Sequence, residues 1–203
     1  MGLRLCSYNL EWFDDLFNKD ATFKSQKARD RAESAAEVLK IIDADLVAIM
    51  EAPGTTKSTG KSTVTCLEVF AETFGLRQKK AIIGFPSNGR QEIAALYDPQ
   101  KVALSHKPGG KSRSKKNPRF DKSFQHDSDA DRVLEIYKHF RPPLEVEVER
   151  LDGGNSFRLI AVHAKSKGIF SKNDLIHYQR EEIRNRRKLF AECSHPLAGG
   201  RVY

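Results

Sequence analysis

Apolar positions along the chain follow two different spacings. Leu46-Val47-Ala48-Ile49-Met50 is a continuous apolar run too short for a helix, so it predicts a buried strand. Leu3 to Leu10 predicts a first strand ahead of it. Between them, Ser25 to Ile42 places Ala32, Ala35, Ala36, Leu39 and Ile42 on one stripe with Arg, Lys and Glu elsewhere, which predicts an amphipathic helix. A polar loop from Pro53 to Ser62 leads to a second helix carrying Leu67, Phe70, Ala71 and Phe74. Gly75 ends it as a left-handed cap. Ala81 to Phe85, Ile93 to Tyr97 and Val102 to Ser105 read as short strands. Leu144 to Arg150 alternates apolar residues with Glu, and Asp152-Gly153-Gly154-Asn155 turns it into Phe157 to Val162, a hairpin. Asn173 or Ser171 caps an expected charged helix running to about Cys193. This order predicts an α/β protein in which mixed sheets are covered by helices.

At 203 residues the chain suits one domain or most of a larger one. Lys and Arg number 35 against 27 Asp and Glu, a formal net charge of +8 with a pI near 9.4. That balance favours polyanionic partners without choosing among nucleic acid, phosphorylated lipid and phosphorylated metabolites. No apolar run approaches the ~20 residues of a membrane span. The chain enters Leu3-Arg4-Leu5-Cys6 with no signal-peptide core. Cys6, Cys66 and Cys193 form an odd, widely spaced set without metal-ligand spacing, as in a reduced, cytoplasmic protein. Residues 107–122 concentrate Lys107, Lys111, Arg113, Lys115, Lys116, Arg119 and Lys122 among Gly, Ser and Pro. They read as a basic loop insertion, either a solvated surface segment or an arm for a phosphate backbone.

Several polar groups stand at the ends of apolar runs. Glu51 follows Met50 and precedes Ala52-Pro53-Gly54, read as a turn; a carboxylate at such a strand end suits Mg²⁺, which needs one or two protein oxygens beside phosphate and water. Asn9 closes the first strand, where a neutral amide can orient that carboxylate or donate to a phosphate oxygen. Glu11 would share its face if the strand continued. His163 ends Leu159 to Val162 and suits proton transfer near neutral pH. Glu92, opening a strand that could lie beside it, is the candidate partner fixing its tautomer. Arg141 precedes the rigid Pro142-Pro143 pair and has the donor fork of a phosphate clamp. Lys165 follows His163 closely as a second cation.

Taken in order, Ser7-Tyr8-Asn9, Leu46 to Glu51, Gly89-Arg90-Gln91-Glu92, Arg141-Pro142 and Ala161-Val162-His163 resemble the endonuclease/exonuclease/phosphatase superfamily, the DNase I-like proteins. The resemblance implies a four-layer α/β sandwich and a Mg²⁺- or Mn²⁺-dependent phosphodiesterase, with nucleic acid or another phosphorylated molecule as substrate. It implies Glu51 and Asn9 at the metal, His163 as general acid/base supported by Glu92, with Asn9 assisting. Arg141 and Lys165 would bind phosphate. It implies no specific protein partner. The family's later Asp-x-Asn and Asp-His motifs have no counterpart after His163, where Asp174 is the only aspartate. The expectation is therefore the first two thirds of a family domain, residues 1–203, with an incomplete site and little activity alone. Met50-Glu51-Ala52-Pro53 differs from the Gln-Glu-Thr-Lys pattern of base-excision repair nucleases. A second expectation is a non-catalytic module using Arg141, Lys165 and the 107–122 loop to hold a polyanion. A third is a phosphatase for phosphorylated lipid or sugar.

Overall fold

The computed structural model describes residues 2–55, 60–87, 91–108, 124–126, 135–137 and 141–163. The chain divides into two units. One is Met1–Ser123 with Lys138–His163, and the other is Phe124–Tyr137 with Ala164–Tyr203. One hairpin belongs to the second unit. That hairpin, Phe124–His126 against Glu135–Tyr137, is the described part of the second unit.

A four-stranded sheet forms the centre of the first unit. Strands β1 (Leu5–Asn9) and β2 (Leu46–Pro53) run parallel, as expected when a helix must carry the chain from one to the other. Strands β3 (Lys80–Ile83) and β4 (Gln91–Tyr97) pair antiparallel, β4 lies antiparallel to β2, and the order is β1-β2-β4-β3. The connecting helix α1 (Gln26–Ile42) starts at Ser25, whose hydroxyl accepts from the Ala28 N–H at 3.2 Å. It buries Ala28, Ala32, Ala36 and Leu39. Ile42, expected on that stripe, is half in water instead, because Asp43 turns left-handed (φ 48°) and ends the helix there. Helix α2 (Thr63–Thr73) is capped by Ser62, and Gly75 at φ +66° turns the chain out of it.

A second sheet holds β5 (Val102–His106), β8 (Leu144–Arg150) and β9 (Phe157–Ala161), all antiparallel in the order β5-β8-β9; the second unit's hairpin strands are β6 and β7. Alternation along the strands separates two cores. Val47, Ile49, Ala94 and Leu96 face the helices, where Phe13, Phe17, Phe70 and Phe74 pack at ring-centroid distances between 5.1 and 5.7 Å. Leu46, Ala48, Ile93 and Ala95 face the other way, onto Val102, Leu144, Val146, Val148 and Ala161 of the second sheet. The result is helices, sheet and sheet in three layers, an α/β architecture of the class expected. The fourth layer and the charged helix expected up to Cys193 fall outside the described residues. Among the described residues no helix is long and apolar enough to cross a membrane.

Candidate functional site

Strand β2 does not stop at Glu51. It pairs Met50 with Ile93 and then Ala52 with Glu92, leaving Glu51 as an extra residue with φ 61°. This is a β-bulge, not the turn expected at Ala52-Pro53-Gly54, and the strand runs on to Pro53. The left-handed region is disfavoured for a residue with a Cβ, at a cost on the order of 1–3 kcal/mol, so the surroundings must hold it. They do so through the carboxylate. Glu51 Oε2 accepts from the Trp12 backbone N–H at 2.9 Å and from Gln91 Nε2 at 2.8 Å, while Oε1 accepts from Asn9 Nδ2 at 3.3 Å.

The segment before this carboxylate is equally constrained. β1 ends at Asn9, and Glu11 and Trp12 both take positive φ, 39° and 53°. Asn9 Oδ1 accepts from the Glu11 N–H at 2.9 Å, and the Arg31 guanidinium of α1 donates to the Glu11 carbonyl. Glu11 therefore leaves the strand face on which it was expected and lies exposed. Phe13 and Leu16, on the 3-10 turn Phe13–Leu16, anchor the segment in the core. Asp14 on the same turn is buried and holds both the Gly54 N–H (2.9 Å) and Lys61 Nζ (3.0 Å). The loop after the bulge is thereby tied to the segment before it.

Arg141 and His163 complete the cluster. An Arg141 Nη1–H donates to His163 Nδ1 at 3.0 Å, and its Nη2 donates to Gln91 Oε1. Arginine has no acceptor, so Nδ1 must carry a lone pair and the ring proton sits on Nε2. That Nε2 stands 3.7 Å from Glu51 Oε1. Burial lowers the His163 pKa from its ordinary value, the Arg141 charge lowers it further, and the Glu51 charge acts the opposite way. Burial alone would raise the Glu51 carboxyl. The hydrogen bonds from Trp12 and Asn9 and the charges of His163 and Arg141 outweigh it and hold the group below its usual range.

Of the expected site residues, Asn9, Glu51, Arg141 and His163 thus lie within one hydrogen-bonded cluster. Glu92 is placed differently. Its strand β4 belongs to the first sheet and His163 follows β9 of the second, so the two strands are not neighbours. Glu92 is 2% exposed and accepts from the Ser87 N–H at 2.8 Å and the Thr55 N–H at 3.3 Å. Burial pushes its carboxyl up despite those bonds. It holds two loops in place, and Glu51 stands in the position beside His163 that Glu92 was expected to take. Gln91 has no role in the sequence reading, yet it joins Glu51 to Arg141. Its only signal was adjacency to Glu92, because an uncharged amide at a strand start is unremarkable by type. Gly89, Arg90, Phe140, Lys165 and residues 109–122 lie outside the described residues.

No three His, Cys, Asp or Glu side chains gather as metal ligands among the described residues. No family model matches the chain, and no curated protein matches it. Among solved structures, a crystal structure of humanized D. rerio TDP2 carrying 14 mutations is similar at 14% identity and a TM-score of 0.39. The alignment covers 96% of this chain and 57% of that one, so the chain spans little more than half of that protein's length. The functional reading rests on the side chains themselves.

Proposed function

We propose that the Glu51 cluster is the metal- and phosphate-binding part of a DNase I-like phosphoesterase site, acting on nucleic acid or another phosphorylated substrate. The observation that supports it is the meeting of Asn9, Glu51, Gln91, Arg141 and His163, which up to 154 positions separate in sequence, around one strained carboxylate. Glu51 Oε2 already accepts two N–H donors, whereas Oε1 accepts one and keeps a lone pair for a cation. A single carboxylate whose Oε1 accepts one hydrogen bond fits Mg²⁺ or Mn²⁺ held mainly by water and phosphate, and does not fit an all-protein cage. Bound there, the ion would neutralise charge building on the transferring phosphoryl group.

The chain's own residues supply the rest. Asn9 and Trp12 N–H keep the carboxylate ionised and oriented. Arg141 would turn toward phosphate the guanidinium that now donates to His163 Nδ1 and Gln91 Oε1. His163, neutral with its proton on Nε2, has that N–H to offer a substrate oxygen. It can accept a proton only by releasing Arg141 from Nδ1. Calorimetric titration with Mn²⁺ tests the reading: weak binding is expected, and it should vanish in Glu51→Gln. Unchanged binding in that variant would overturn it. A module that only holds polyanions would bind nucleic acid with no response to the metal. Turnover of a phosphodiester substrate with Mg²⁺, if present, should be lost in His163→Ala.

A further inference from the structure

We infer that Trp12 is a stacking platform for a base of the substrate, which deepens the phosphoesterase reading and rests on it by making the substrate a nucleic acid with an unpaired base. The indole is 53% exposed, although it is the largest apolar side chain in the protein and the next residue, Phe13, is buried in the core. Burying a Trp ring is favourable by its area alone, so a ring left in water beside a core invites a planar partner. Its backbone is held on both sides. The Trp12 N–H is held by Glu51 Oε2 at 2.9 Å, its carbonyl accepts from the Asp15 N–H at 3.0 Å, and Arg31 holds the preceding carbonyls.

Because the indole shares a Cα with the nitrogen bonded to Glu51, it lies within one nucleotide's span of the carboxylate proposed to hold the metal. A phosphate at the cluster would bring the adjoining base to this ring. The Arg31 guanidinium, 45% exposed and 4.0 Å from the Glu11 carboxylate, adds a positive charge to the segment that carries Trp12. A nucleic-acid base offers this ring a full aromatic face, which lipid headgroups and inositol rings lack.

The protein contains one tryptophan, so its fluorescence reports this ring alone. The full chain is titrated with a short fluorescently labelled oligodeoxyadenylate, with an abasic strand of the same length, and with inorganic polyphosphate. Binding is followed independently by anisotropy of the labelled strands. Quenching of the tryptophan by the oligodeoxyadenylate, and not by the abasic strand or polyphosphate, is expected. Trp12→Ala should weaken the oligodeoxyadenylate ~5- to 100-fold, the range of one base–aromatic stack, and leave the abasic strand within about twofold. Trp12→Phe should recover part of the loss. Equal binding of the two strands, or binding without quenching, would overturn the stacking role while leaving the metal titration at Glu51 intact. Failure of both experiments would remove the phosphoesterase reading as well.

Discussion

The two ends of the central sheet carry similar residues in opposite states. At the start of β2 and the end of β4, the Arg77 guanidinium meets three carboxylates, one of which also pairs with Arg4. Arg77 contacts Asp43 at 2.6 Å, Asp45 at 2.9 Å and Asp98 at 2.7 Å, and its Nη2 also donates to the Asp43 carbonyl at 2.7 Å. Asp45 and Asp98 are buried, and the guanidinium has few donors left. At the other end one carboxylate meets several donors, sits on a bulge at positive φ and has only one hydrogen bond on its Oε1. A cavity of about 1090 Å³ opens at the Arg77 end, lined by residues including Arg4, Asp43, Arg77, Asp98 and Lys101. Its size alone would make it the candidate site. What distinguishes the Glu51 end is stored strain and unspent coordination, which a purely structural ion-pair network has no reason to keep.

The sharpest way to break this contrast is to remove each centre and measure both properties. Arg77→Ala takes the guanidinium from the buried Asp45 and Asp98 and should lower the unfolding free energy by about 3 kcal/mol in urea melts. Its Mn²⁺ affinity should stay unchanged. A loss of metal binding in that variant would mean the two ends are one functional unit.

Acid gives the second test. Hydrogen bonds from Arg77 hold the Asp43 carboxyl below its usual range. Burial would raise Asp45, but the Arg4 N–H and Arg77 outweigh it and lower that group too. Groups with depressed folded values stabilise the protein above the unfolded-chain pKa, about 4, and lose that contribution as pH falls through the folded value. Stability should therefore drop below about pH 4, and the slope of that drop should flatten in Arg77→Ala.

Smaller effects sharpen the other end. Gln91→Ala removes the link between Glu51 and Arg141 and should weaken Mn²⁺ roughly 10-fold, as loss of a ligand-orienting hydrogen bond does, with about 1 kcal/mol or less of stability. The smallest effect concerns His163. Its depressed pKa means the neutral ring stabilises the fold above about 6.5 and that this is lost as pH falls through the lower folded value. In Glu51→Gln the carboxylate that favours its charged form is gone. The histidine resonances should then titrate at still lower pH by NMR, and a rise would show that Glu51 does not face the ring.

Much of this was legible in the sequence. The continuous run Leu46 to Met50 and the stripe Ala32, Ala36 and Leu39 place a buried strand and a covering helix by spacing alone, and Ser25 marks the helix start. Asn9, Glu51, Arg141 and His163 stand out because each follows or opens an apolar segment. The bulge was not legible. Pro53 and Gly54 have the composition of a turn, and nothing local tells a strand that ends at Glu51 from one that steps around it. Pairing with Ile93 and Glu92 decides the matter, and pairing is non-local. The partner of His163 was missed for the same reason: which strand lies beside which is set by the packing of two sheets, not by the order of residues.

The bulge also has a bearing on how such a site can arise. Val47 and Ile49 belong to the helix-side core, and so does Ala52, while Leu46 and Ala48 face the second sheet. Strict alternation would send Glu51 toward the helices and Ala52 away from them. With Glu51 removed, every remaining residue of the strand falls into phase on its present side. The acidic group is therefore a one-codon interruption in an otherwise regular β-strand. Gaining or losing that codon would add or remove the proposed metal-binding carboxylate while leaving both hydrophobic layers in register.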